Sequence, residues 1–132
     1  MTAADLLRGG GLDPAAVASE LVYVDPEQVP VRKAPRLVRA LWPAGIAAMT
    51  VPWVIWIDPA MLGWEPERQA RLIVHELAHS AQWKRLGWVG FSFAYLRDYL
   101  RRRLRGMSHQ EAYRANRFEV EANELRDRVV GL

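Results

Sequence analysis

The chain is 132 residues long, 51% apolar and 25% charged, a size and balance that predict one globular domain and argue against disorder. It contains no cysteine, which excludes disulfide staples and thiolate metal sites and leaves histidine and carboxylate as the available metal ligands. The net charge of +3, with sixteen arginines and two lysines, biases encounters towards anionic partners but is too small to specify nucleic acid.

In chain order, the stretch to about Gly11 ends in three glycines and reads as frayed, so residues 1–12 are expected to lie outside the folded body. It lacks a basic start followed by a long apolar run, so no secretory signal and a cytoplasmic location are expected. Asp13-Pro14 has the form of a helix start, Asp as N-cap and Pro at the first helical position. Asp25 to Pro30 is turn-like, and RLVRALW (36–42) fits a strand or one helical turn. From Ala40 to Ile57 eighteen residues pass without a charge, marginal for a bilayer core of ~30 Å. Pro43, Gly45 and Pro52 interrupt that stretch, which predicts two buried strands with a turn rather than a membrane span. Within it WVIWI (53–57) is the strongest strand, stopped by Asp58-Pro59.

Residues 66–86 carry the strongest helix, with Glu65 and Glu67 at the dipole-favoured start, Pro66 near the first helical position and Gly87 past the end. A connector over 87–90 leads to a second helix, 91–104, aromatic early and arginine-rich late. Its interleaved aromatics and arginines have the composition of a nucleic-acid or anionic-membrane face. Asp98 interrupts the run, however, and Phe91, Tyr95 and Tyr99 recur every four residues, so the reading is a core-packed helix with a solvated arginine face. SHQE (108–111) has capping-box spacing and opens a helical region to about Val130, kinked near Asn116. The pattern as a whole is α+β, mostly helical, with a small sheet from the middle of the chain.

The chemistry sits in HELAH (75–79), in the middle of the strongest helix. Residues four apart share a helix face, so the imidazoles of His75 and His79 can bind one ion. Glu76 is rotated by about 100° from His75, outside the ligand shell but near a metal-activated water whose proton it can take. A tetrahedral catalytic site needs one more protein ligand. His109, Glu111, Glu119, Glu121 and Glu124 are the candidates, and no HExxHxxGxxH extension is present. Glu119 is favoured because Ala115, Ala122 and Asn123 give its face a small-residue surface that lets two helices approach.

HELAHSAQW followed about forty residues later by AYRANRFEVEAN resembles the gluzincins, zinc proteases that pair HExxH with a downstream glutamate, and most of all the minimal minigluzincins of bacteria and archaea. The resemblance covers roughly residues 53–125 of a single minimal zincin-like domain. It implies zinc as cofactor, Glu119 as third ligand, and Asn123 where the family's aspartate orients a ligating histidine; asparagine there brings no negative charge. It further implies an edge strand beside the HExxH helix, here WVIWI, with Trp53 and Trp56 contacting a peptide substrate that adds as a further strand. The family's oxyanion donor is a His or Tyr outside the metal shell; Tyr113 is preferred among His109, Tyr95, Tyr99 and Tyr113.

The expected activity is thus zinc-dependent peptide hydrolysis with Glu76 as general base and acid, on a peptide or protein substrate. The alternative is a non-catalytic or latent module of the same fold that docks a partner through its cleft. Retention of Glu76 favours the enzyme, because zinc ligation alone needs no glutamate there. Self-association that covers the cleft is a further expectation from the resemblance; nucleic acid is not an expected partner.

Overall fold

A computed structural model describes residues 1–42 and 45–130; Pro43, one of the interruptions of the uncharged stretch, lies outside the described residues. The elements in order are α1 (Ala3–Gly9), α2 (Pro14–Ser19), β1 (Val31–Lys33), α3 (Arg36–Ala40), β2 (Ala48–Val51), β3 (Val54–Ile57), α4 (Pro66–Leu104), α5 (His109–Ala115) and α6 (Arg117–Val130). Among the described residues the architecture is α+β and mostly helical, with one three-stranded sheet.

The amino terminus is not frayed. Thr2 and Asp5 form a reciprocal capping box at the start of α1, and Ala3, Ala4, Leu6 and Leu7 are buried. The glycines that suggested disorder have a packing role: a Cβ on Gly10 would stand 2.4 Å from the Ala70 side chain and 2.7 Å from the Pro66 carbonyl. Only glycine lets the end of α1 lie against the start of α4.

The sheet order is β1-β3-β2, with β1 parallel and β2 antiparallel to β3. The uncharged stretch folds as the expected pair of strands, and RLVRALW is helical over Arg36–Ala40. The best strand of the sequence is the central one, which corrects its assignment as the edge. WVIWI is apolar throughout because β3 is paired on both sides, and the strand exposed beside the HELAH helix is β2.

Helix α4 contains one break. Gly87 has φ 75° and ψ 170°, a conformation essentially reserved for glycine, and the chain resumes helical geometry at once. The expected four-residue connector is thus a single-residue bend between two helical segments, 66–86 and 88–104. In the first segment Ala70, Ile73, Val74 and Leu77 recur on one face and are buried, the last three in one core with Ile55 and Ile57 of the sheet and Leu7 of α1. Ala122 and Leu125 of α6 complete this core.

The expected kink near Asn116 is the junction of α5 and α6. Asn116 is fully buried; its side chain accepts the Phe118 N–H at 3.0 Å and donates to the Tyr95 carbonyl at 3.2 Å. It thereby caps α6 and ties it to the second segment of α4. Asp98 reinforces the junction by accepting from the Arg117 N–H and from Arg102. These fastenings fix where Glu119, on the first turn of α6, meets the HELAH segment.

Candidate metal centre

His75 and His79 project from one face of α4, with their Nε2 atoms 3.1 Å apart. Glu119 reaches across from α6 and places Oε2 3.1 Å from His75 Nε2 and Oε1 3.2 Å from His79 Nε2. All three residues are at least half-buried, and among the described residues they form the one His and carboxylate group compact enough to hold an ion. Glu111 and Glu124 stay exposed, and Glu121 pairs with Arg85 at 3.3 Å. His109 lies on the surface, its Nδ1 2.7 Å from the Tyr99 hydroxyl. Of the five candidates for third ligand, only Glu119 meets the histidines.

Two further observations test whether these residues fit a metal. The first is the proton arrangement on His79. The Gln82 amide nitrogen faces the Phe118 carbonyl at 3.0 Å and Glu121 Oε1 at 3.3 Å, both acceptors only, so it must be the NH2. The Gln82 oxygen is then the atom 2.7 Å from His79 Nδ1, which therefore carries the hydrogen. Neutral His79 in that tautomer presents a lone pair at Nε2, towards His75 and Glu119. The second is spacing: donors around a tetrahedral ion at 2.0–2.1 Å stand about 3.3 Å apart, close to the 3.1 Å between the two Nε2 atoms and the 3.1–3.2 Å from each to its nearer Glu119 oxygen. The donor set fits a divalent ion of borderline hardness.

Without an ion the same geometry becomes an ion pair. Burial opposes charge on His79, but the Glu119 hydrogen bond and the negative charges of Glu76 and Glu119 outweigh it and raise the imidazole to about 9. Burial likewise opposes the charge on Glu119, yet its bonds to both histidines hold it well below the usual carboxylate range. A cation at this position takes over the role of that proton.

Glu76 is buried on the neighbouring helix face, and the Thr50 hydroxyl from β2 hydrogen-bonds its carboxylate while lying 3.2 Å from its carbonyl oxygen. Tyr95 donates to Glu119 Oε1 at 3.4 Å. Burial, reinforced by the Glu119 charge, pushes the Tyr95 and Tyr113 phenols up, so both remain protonated donors. No family model, no curated protein and no solved structure matches the chain.

Two cavities flank the group along β2. A larger one, about 660 Å³, is lined by Ala48, His75, Glu76 and Tyr113 and carries Arg68, Arg71, Arg114 and Arg126. A smaller one, about 270 Å³, is lined by Thr50, Glu76, His79, Trp83, Tyr95 and Glu119. Trp53 and Trp56, expected to contact substrate, line neither cavity. Trp53 is exposed in the turn after β2 with its ring 5.1 Å from Trp88, and Trp56 belongs to the central strand. Their assignment depended on β3 being the edge.

Asn123, expected to orient a ligating histidine, makes no hydrogen bond to either imidazole among the described residues, and the buried Nδ1 of His75 has no partner there. Gln82 orients His79 instead. It was legible only as a polar residue three positions after His79, on the ligand's own helix, where its amide can reach back. Thr50 was hidden within an apolar stretch.

Proposed function

We propose that the protein is a zinc-dependent metallopeptidase of the gluzincin kind, with His75, His79 and Glu119 as metal ligands and Glu76 as general base and acid. The observation that carries this reading is the Glu119 carboxylate within 3.1–3.2 Å of both Nε2 atoms, beside a buried glutamate that is not part of that group. A metal-holding site alone gives no reason to bury Glu76 on the wall shared by both cavities. Zinc at this position supplies Lewis acidity that makes water nucleophilic near neutral pH. Glu76 accepts a proton from the attacking water and returns it to the leaving amine. The Thr50 hydroxyl holds the Glu76 carboxylate in place, and the phenol of Tyr113, at the wall of both cavities, is the donor for the developing oxyanion.

Strand β2 supports peptide binding through its backbone. Ile55 donates to the Pro30 carbonyl and the Ile57 carbonyl accepts from Ala34, so both residues direct their main-chain groups towards β1. Their β2 partners, Thr50 and Ala48, therefore direct N–H and C=O away from the sheet, towards the cavities. The Trp83 indole takes the Thr50 carbonyl at 3.1 Å, leaving Ala48 N–H and C=O and Thr50 N–H for an extended peptide. Arg68, Arg71 and Arg114 of the larger cavity favour acidic side chains in that peptide, while Arg126 there is already paired with Asp127 of the same wall.

A latent or binding-only module is the second reading, favoured by the Thr50 hydroxyl already engaging Glu76. The deciding experiment compares metal content and peptide hydrolysis of the wild type, Glu76→Gln and Glu119→Ala. The proposal expects one zinc in the wild type, zinc without hydrolysis in Glu76→Gln, and loss of zinc in Glu119→Ala. Zinc bound by these ligands with no cleavage of any peptide selects the second reading; a wild type that binds no metal removes both.

A further inference from the structure

The second segment of α4 has two unlike sides. Its inner side carries Phe91 and Tyr95 against Phe118, with Asp98 and Arg102 paired beneath. Its outer side carries Val89, Phe93, Leu96, Leu100 and Leu104, which are between 48% and 88% exposed. At roughly 100° per residue these five fall within about 80° of one another, a continuous stripe several turns long. At its amino-terminal end the exposed Trp88 packs at a tilt of 50° against the exposed Trp53, residues of the kind enriched at membrane–water interfaces.

Charge says what this stripe fits. Arg97 and Arg101 lie along one side of it and Arg103 along the other, all exposed, with Arg105 at the helix end. The sole acid between Trp88 and Met107 is Asp98, turned inward to Arg102 and the Arg117 N–H. A second copy laid along the stripe would set arginines against arginines with no acid to pair them. Nucleic acid would use the arginines but has no use for five aliphatic and aromatic side chains. An anionic bilayer uses both: acyl chains accept the stripe while lipid phosphates meet the arginines on its borders. No helix among the described residues is long and apolar enough to cross a membrane, so on a bilayer this one would lie in the interface plane rather than span it.

We propose that the outer face of residues 88–105 is a docking surface for an anionic lipid bilayer. Phe91 and Tyr95 line or face the smaller cavity from the opposite side of the same helix, so docking holds the metal centre roughly one helix diameter, ~10 Å, above the lipid.

Flotation of the full-length protein with phosphatidylcholine vesicles, with and without phosphatidylglycerol, tests it. The wild type is expected to float only with the anionic vesicles, and less as salt rises. Phe93→Ser with Leu96→Ser lowers partitioning about a hundredfold, roughly tenfold for each exposed side chain that no longer inserts. Arg97→Gln with Arg101→Gln lowers it about twenty-fivefold, roughly fivefold each. Both double variants keep the wild-type melting temperature and metal content, because every altered side chain is exposed. A wild type that ignores both kinds of vesicle overturns the proposal. So does a dimer in sedimentation equilibrium that Phe93→Ser with Leu96→Ser dissociates, which makes the stripe a self-interface. Duplex binding that survives that serine pair, with no vesicle binding, assigns the arginines to nucleic acid instead.

Discussion

Replacing Gln82 by leucine removes the one group that fixes the His79 tautomer while keeping side-chain volume close to the original. Gln82 is almost fully buried and accepts from His79 Nδ1 at 2.7 Å while donating to the Phe118 carbonyl at 3.0 Å. The substitution orphans the buried His79 Nδ1–H, at a cost of about 1–3 kcal/mol, and removes the tie to the Phe118 carbonyl, which keeps its helical bond. Part of that loss falls on the metal-free fold, since Gln82 also joins α4 to α6. The rest falls on the metal, because His79 can then rotate or shift its proton to Nε2, and an ion must reverse either change. Outer-shell partners of ligating histidines are worth roughly 10–100-fold in affinity, so zinc should bind Gln82→Leu weaker by that factor. Competition against a chromophoric chelator measures the affinity, and urea unfolding of the metal-free protein measures the fold. If Gln82→Leu unfolds more easily but binds zinc as tightly as the wild type, Gln82 is a clamp between helices and the tautomer argument is wrong.

Four other outcomes are expected, three at the metal centre and one at the bend in α4. Thr50→Val removes the hydroxyl at Glu76 and leaves the three ligands untouched; zinc affinity should stay within about twofold while hydrolysis falls roughly tenfold, and a parallel loss of metal would contradict that separation. Gly87→Ala forces a side chain into φ 75°, ψ 170° and should cost about 1–3 kcal/mol in thermal unfolding; an unchanged melting temperature would mean the bend relaxes freely. For the metal-free protein, His79 is raised from the ordinary imidazole value to about 9, so its stabilising pair with Glu119 is fully present below about pH 6.5 and is lost as pH rises through about 9. The depressed carboxyl of Glu119 gives the opposite limb, with stability present above the ordinary carboxylate range and lost on acidification. Zinc uptake at pH 7 should release a proton from His79, seen as a calorimetric heat that varies with buffer ionisation; no such dependence would contradict the raised imidazole.

The sequence made some of this legible because the signals were local. Pro66 and Gly87 bracketed the HELAH segment, Asp13 and Ser108 each cap the helix they were read to start, and one HExxH spacing placed two imidazoles on a common face. Glu119 could be narrowed by its small neighbours because close helix approach depends on side-chain size. What stayed hidden was non-local. Apolarity marks β3 as buried but does not say whether one or both edges are paired, which misplaced the open edge and with it Trp53 and Trp56. The Thr2–Asp5 spacing was a usable cap signal, overshadowed by three glycines whose reason is the contact of Gly10 with Ala70. Asn123 was named by analogy of position, whereas orientation of His79 comes from Gln82 through a bond between residues of one helix. The arginine-rich helix was read correctly on its inner face, but which residues remain uncovered on the other depends on every element that does not pack there.

The bond from the Trp83 indole to the Thr50 carbonyl bears on colloidal behaviour. An unpaired strand edge recruits any extended chain, including the same edge of another molecule, and long flat edges seed aggregates. In β2 the run of open main-chain groups covers only Ala48 and the N–H of Thr50 before the indole closes it. Two such edges meeting would form too few bonds to hold together, while a peptide bound as proposed, with the flanking cavities holding its side chains, would need only those few. Trp83 thus lets the chain keep a receptive edge without becoming a template for its own precipitation, and Trp83→Ala should reveal this as turbidity on concentration before any change in the metal centre.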